Sequence, residues 1–118
     1  MYFRFEKLEV WQLSRKFANT IYEITARFPK TELFGLISQL RRAAISIALN
    51  IAEGSDRKSD KDFRHFLRIS IGSLEEVITA LYISLDQDFL NKQEFDKIYG
   101  ASGILMAKLN ALINSLKP

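Results

Sequence analysis

Cysteine is absent from the 118 residues. That removes disulfides, thiolate metal sites and cysteine nucleophiles from consideration. Histidine occurs once, at His65. A di-iron bundle needs two Glu-x-x-His pairs, and a Ser-His-Asp arrangement would have to recruit a histidine that lies in a basic run rather than in an evident pocket. No Walker loop or dinucleotide-binding glycine pattern occurs. Paired carboxylates exist only as Glu75 and Glu76, which are adjacent and point about 100° apart on a helix. Together these absences argue against an enzyme and call for no cofactor or metal. The longest apolar run, residues 43–52, is interrupted by Ser46 and Asn50 and is too short to span a bilayer. The opening residues MYFRFEK lack the apolar stretch of a secretory signal. The expectation is a cytoplasmic protein with no membrane partner.

What is present is an ordinary soluble composition, 47% apolar and 26% charged, on a length that suits one domain spanning 1–118. The formal charge of +3 is unevenly placed. Residues 1–68 carry 13 basic and 8 acidic side chains, whereas residues 69–118 carry 4 and 6. A basic half of this kind attracts polyanions.

Four helical patterns fill the chain, with short breaks and no strand-like alternation. Val10, Leu13, Phe17, Ile21, Ile24 and Phe28 form a stripe that Pro29 should end. A second helix is expected from about Thr31 to Glu53, with Gly54 as its left-handed stop. Ser59 is placed to cap a third helix with Asp60 and Asp62 in its first turn, and Phe63, Leu67, Ser70, Leu74, Val77, Leu81 and Leu85 make its seam. Asn91 with Glu94 reads as a capping box for the fourth, whose seam runs through Ile98, Ser102, Leu105, Leu109, Leu112 and Leu116. Short loops between four long helices predict an all-α, antiparallel up-down-up-down bundle. Gly35, Gly72, Gly100 and Gly103 interrupt these helices, each at a cost of roughly 1 kcal/mol relative to alanine. Close approach of another helix is the expected reason, with a locally weak fourth helix as the alternative.

On the second helix, Leu33, Leu36, Ile37, Leu40, Ala44, Ile47 and Ile51 should face the bundle. The opposite side is not charged but carries Ile45, Leu49 and Ala52 beside Arg41. One polar ridge separates the two: Gln39, Arg42, Ser46, Asn50 and Glu53, at steps of three and four residues. A helix apolar on two sides is buried on more than one side. Self-association through this helix is therefore expected, with the ridge supplying hydrogen bonds in the contact; a solvated ridge is the alternative. Arg42 is too distant from Glu53 to pair within the helix; the two could pair across a subunit boundary or with the third helix, and Glu75 and Glu76 are other possible partners for Arg42. Ile71, Ile78, Tyr82 and Phe89, and Tyr99, Met106 and Ile113, add further apolar ridges, read either as association surface or as core widening.

The stretch NIAEGSDRKSDKDF closes that helix and opens a basic cluster. Lys61, Arg64, His65 and Arg68 share a helix face, Arg57 and Lys58 precede it, and Arg41 is a candidate addition from the second helix. Such a face can hold phosphates by charge in a salt-dependent way. Asp60, four residues before Arg64, should neutralise it in part, and Asp56 and Asp62 sit nearby. RNA or DNA is thus the candidate ligand, without any sequence-reading motif. A solvated face on a structural or protein-interaction module is the alternative.

The segments FEKLEVWQLS, RFPKTELFGLISQLRRAAISIALNIAEG and FRHFLRISIGSLEE resemble the four-helix-bundle proteins of the ribosomal S23 type, some of which are encoded in intervening sequences of bacterial large-subunit rRNA genes. That family in turn resembles the accessory variability proteins of diversity-generating retroelements, which associate with a reverse transcriptase and nucleic acid. The resemblance covers nearly the whole chain and implies an antiparallel bundle assembled as a ring-shaped homopentamer. Gln39, Arg42, Ser46, Asn50, Ala52, Glu53, Gly54, Gly72, Ser73 and Glu75 or Glu76 match the family motif, which implies no catalytic role for them. Where the family commonly has proline two residues before the motif asparagine, this chain has Ala48.

Overall fold

The computed structural model describes residues 2–118. After a 3-10 turn at Arg4–Lys7, four α-helices follow: α1 Glu9–Thr25, α2 Ser38–Ser55, α3 Asp60–Asp86 and α4 Lys92–Ser115. No strand occurs among the described residues, and the helices run up and down as an antiparallel four-helix bundle measuring 44 × 23 × 22 Å. Sequential helices lie side by side, and α2 with α3 forms the most extensive pair. Each helix places one face in the core: Phe17 and Ile21 from α1, Leu40 and Ile47 from α2, Leu67 and Leu81 from α3, Leu105 and Leu109 from α4.

The caps form as the residue types dictate. Ser59 accepts a hydrogen bond from the Asp62 N–H at 3.1 Å, and Asn91 and Glu94 satisfy each other's backbone N–H groups in a full capping box. All seven buried hydroxyls are also satisfied, six of them by backbone carbonyls. The seventh, Ser73, meets Ser46. This is what burial of a polar group requires. Most of the additional apolar ridges belong to the core flank: Ile71, Ile78, Phe89 and Met106 pack partly buried against it, and Ile113 is inside it. Tyr82 and Tyr99 are half-exposed and pack on Phe95, with Tyr82 at 4.7 Å between ring centroids.

Several boundaries and reasons differ from the sequence-based expectation. Helix α1 ends at Thr25, before Pro29, and Phe28 turns back into the core from the loop. The residue before a proline is biased away from helix, and here the chain leaves the helix earlier still. Regular α2 begins only at Ser38. A 3-10 turn at Lys30–Glu32 and a widened turn at Leu33–Ile37 precede it, with Gly35 at φ −115°, ψ −113°. The widened turn shifts the helical phase, so Leu33 is exposed rather than bundle-facing and Phe34 is 94% exposed. An added Cβ at Gly35 would meet the Glu32 carboxylate at 2.8 Å; that carboxylate accepts from the Leu36 N–H. Gly72, Gly100 and Gly103 have no atom within 4 Å of an added Cβ, so no helix of this chain approaches them closely.

Candidate functional site

The corner between α2 and α3 is not made by a glycine stop. Helix α2 continues through Gly54 to Ser55, and no glycine among the described residues has positive φ. Gly54 is required for a different reason: a Cβ there would lie 2.6 Å from the Phe66 Cβ and 3.0 Å from the Phe63 ring. The absence of a side chain lets α3 leave the corner pressed against the end of α2.

Cations gather on this corner. The Arg4 guanidinium donates to the Ser55 carbonyl at 3.2 Å and lies 5.1 Å from the Phe63 ring centroid. It thereby satisfies one of the orphan carbonyls at the negative end of α2. Arg4 is a member that the sequence reading missed; its only signal is the alternation Phe3-Arg4-Phe5. Arg57 pairs with Glu53 at 2.8 Å and stacks over Phe66 at 4.7 Å. Lys58, Lys61 and Arg68 are exposed and make no ion pair or protein hydrogen bond among the described residues. Arg64 is partly buried, and its Nη1 is enclosed without an acceptor. The expected neutralisation by Asp60 does not form, because its carboxylate instead accepts from the Lys117 backbone N–H at 3.0 Å. His65 is exposed with its ring edge-on to Phe66, outside any pocket.

Arg41 does not join this cluster. It sits near the opposite end of α2, roughly 20 Å from the corner at 1.5 Å per residue. There its Nε donates to Thr25 Oγ1 at 2.9 Å, and its guanidinium lies over the Tyr22 ring at 4.5 Å. Its work is to tie the end of α1 to α2, a tertiary role with no local sequence signal.

Along the polar ridge Arg42 alone has no partner among the described residues. Asn50 donates to Ser46 Oγ at 3.0 Å, and Ser46 meets Ser73 at 2.9 Å, so these two ridge residues form a hydrogen-bond chain onto α3 within the chain. Gln39 donates to Glu76 at 3.3 Å. Arg42 is exposed and pairs with neither Glu75 nor Glu76 among the described residues. On the far side of α2, the N-terminal turn and α1 cover part of the apolar surface. An open groove of about 440 Å³ remains between Trp11 and Tyr22 on one wall and Ile45 and Leu49 on the other. Leu49 is 62% exposed in it.

Among the described residues no group of three His, Cys, Asp or Glu side chains is placed to hold a metal ion, and no helix is long and apolar enough to cross a membrane. Fold and site together define an antiparallel four-helix bundle with a cationic corner. Its membership is more particular than that: the chain belongs to the 23S rRNA-intervening sequence protein family, whose model matches residues 6–111. It is similar in structure to a protein of unknown function from the S23 ribosomal protein family of Bacteroides thetaiotaomicron, with a TM-score of 0.80 at 24% identity, over 90% of this chain and 99% of that one. At that identity the likeness concerns the fold. No curated protein matches the chain in sequence.

Proposed function

We propose that this chain is a non-enzymatic, self-associating bundle that engages nucleic acid by charge at the α2–α3 corner. The observation that carries the reading is the group of unpaired cations there. Lys58, Lys61, Arg64 and Arg68 lie within one short segment and have no carboxylate partner among the described residues. Asp60 accepts from the Lys117 backbone N–H, and the neighbouring exposed Asp56 and Asp62 pair with no cation among those residues. The family's name, which refers to an intervening sequence of 23S rRNA, makes RNA the first ligand to try. Contacts of this kind go to phosphates and carry no sequence code. The exposed Leu49 and the groove beside it support self-association through the outer side of α2, and a homopentamer is the assembly that the family resemblance implies. A ring would repeat the corner around its axis and strengthen a weak site by avidity.

The test is light scattering of the chain alone, followed by titration with an RNA and a DNA oligonucleotide over a salt series. The expected result is a mass near five chains at moderate salt and affinity that falls steeply with salt. Arg64→Gln with Arg68→Gln should flatten the slope of log K against log salt by about 0.7 for each single-strand phosphate that the variant no longer neutralises. A five-chain assembly indifferent to both oligonucleotides would overturn the nucleic-acid reading in favour of a protein-interaction module. A monomer would overturn the self-association reading.

A further inference from the structure

Apart from the exposed Asp62 in its first turn, the exposed face of α3 separates its charges by sign. Lys61, His65 and Arg68 occupy its N-terminal half, and Glu75, Glu76 and Asp86 its C-terminal half. Asp60 and Asp62 suit the positive end of the helix dipole, but Lys61 near that end and Asp86 at the other oppose it. The order therefore does not serve the helix itself. Gly72 stands between the two halves, half-buried, with no atom within 4 Å of an added Cβ. A glycine in a helix interior costs roughly 1 kcal/mol relative to alanine, and nothing in this chain makes use of the space. A shallow groove runs beside it, along Gln39, Glu76 and Ile83.

We propose that α3 docks antiparallel on α3 of a second copy of this chain, about a two-fold axis at Gly72. Charge complementarity names this occupant. Arg68, four residues before Gly72, and Glu75, three after it, lie about 4–6 Å from the axis along the helix and on the same lateral side of the face at 100° per residue, so Arg68 stands opposite the partner's Glu75. Lys61 comes within about one turn of the partner's Asp86 by the same rise. Each pairing occurs twice, because a two-fold contact is self-complementary. Ile69 and Ile83, 38% and 46% exposed, supply apolar surface on either side of the glycine. The ion pairs are exposed and therefore individually weak and screened by salt. The contact covers Lys61 and Arg68, so pairing and polyanion binding are alternatives on this face.

The cysteine-free sequence allows a direct test. A disulfide cannot bridge two Cα atoms more than about 7 Å apart, so Gly72→Cys reports contact at the axis and nowhere else. Oxidised at low salt without nucleic acid, Gly72→Cys is expected to give a disulfide-linked dimer on a non-reducing denaturing gel, while Ala107→Cys on the outside of α4 gives none. High salt and Arg68→Glu should each reduce the linked yield several-fold, and Arg68→Glu combined with Glu75→Arg should restore it. Rescue by the double exchange also shows that the single variant was folded. Absence of the linked species, or a yield unaffected by Arg68→Glu, would overturn the proposal. If Gly72→Cys stays unlinked while Arg68→Glu weakens RNA binding, the face serves polyanions alone and the pairing is overturned. A linked dimer in a protein that binds no nucleic acid would leave this inference standing and remove the other.

Discussion

Gly54 and Gly103 look alike in the sequence and differ entirely in their surroundings. An alanine methyl at Gly54 collides with the Phe66 Cβ at 2.6 Å, a rigid part of the neighbouring helix. Gly54→Ala is therefore expected to lower stability by about 1–3 kcal/mol, as overpacking does. Gly100→Ala and Gly103→Ala meet nothing and should each raise stability by about 0.5–1 kcal/mol through helix propensity. Thermal denaturation of the three variants checks the opposite signs. Glu94 offers a second test at this scale. Its hydrogen bond with the Asn91 backbone, reinforced by Arg27 at 2.6 Å, holds its pKa below the ordinary 4.5. A depressed carboxylate stabilises the fold above its unfolded pKa, and that contribution is lost as pH falls through the folded value. Glu94→Gln should thus be less stable than the native chain at neutral pH, and the gap should close as the pH drops below 4.5. Melting temperatures across that range provide the measurement.

At the scale of the helix, local chemistry was readable wherever it acts locally. Ser59 and Asn91 cap the helices whose starts they signal, because a cap needs only the next three residues. Asn91→Ala should cost about 1 kcal/mol, the usual value of such a cap, measurable by urea denaturation. Three features were not readable, and each depends on distant parts of the chain. The end of α2 is set by contact with Phe63 and Phe66 on α3, not by the turn preference of Gly54. The start of α2 is delayed by the widened turn around Gly35, which no apolar period announces. Arg41 lies in a basic-looking position yet is bound to Thr25, sixteen residues earlier. The apolar stripes, by contrast, located most of the core, since the 3.6-residue period is imposed by the same burial that the bundle achieves.

Across the whole molecule, the cationic corner lies at one end of an elongated bundle, and the acidic residues of α3 extend away from it. The sequence carried the sign and rough position of this charge, because Lys and Arg cannot avoid the surface unless paired. It did not carry which cations are free: Arg4 and Arg41 are engaged in tying segments together, whereas Lys58, Lys61 and Arg68 are not.

The dominance of the α2–α3 pair has a consequence for how the chain acquires and loses its structure. Two long helices joined by a short connection meet through contacts close in sequence, which need little loop-closure entropy and form early. This hairpin is the expected nucleus, with α1 next. Helix α4, which packs least extensively and carries two interior glycines, docks last. Native-state amide hydrogen exchange should accordingly find the slowest amides around Ile47 and Leu74 and a lower opening free energy for α4. Uniform protection across all four helices would instead mean that the bundle opens only as a unit.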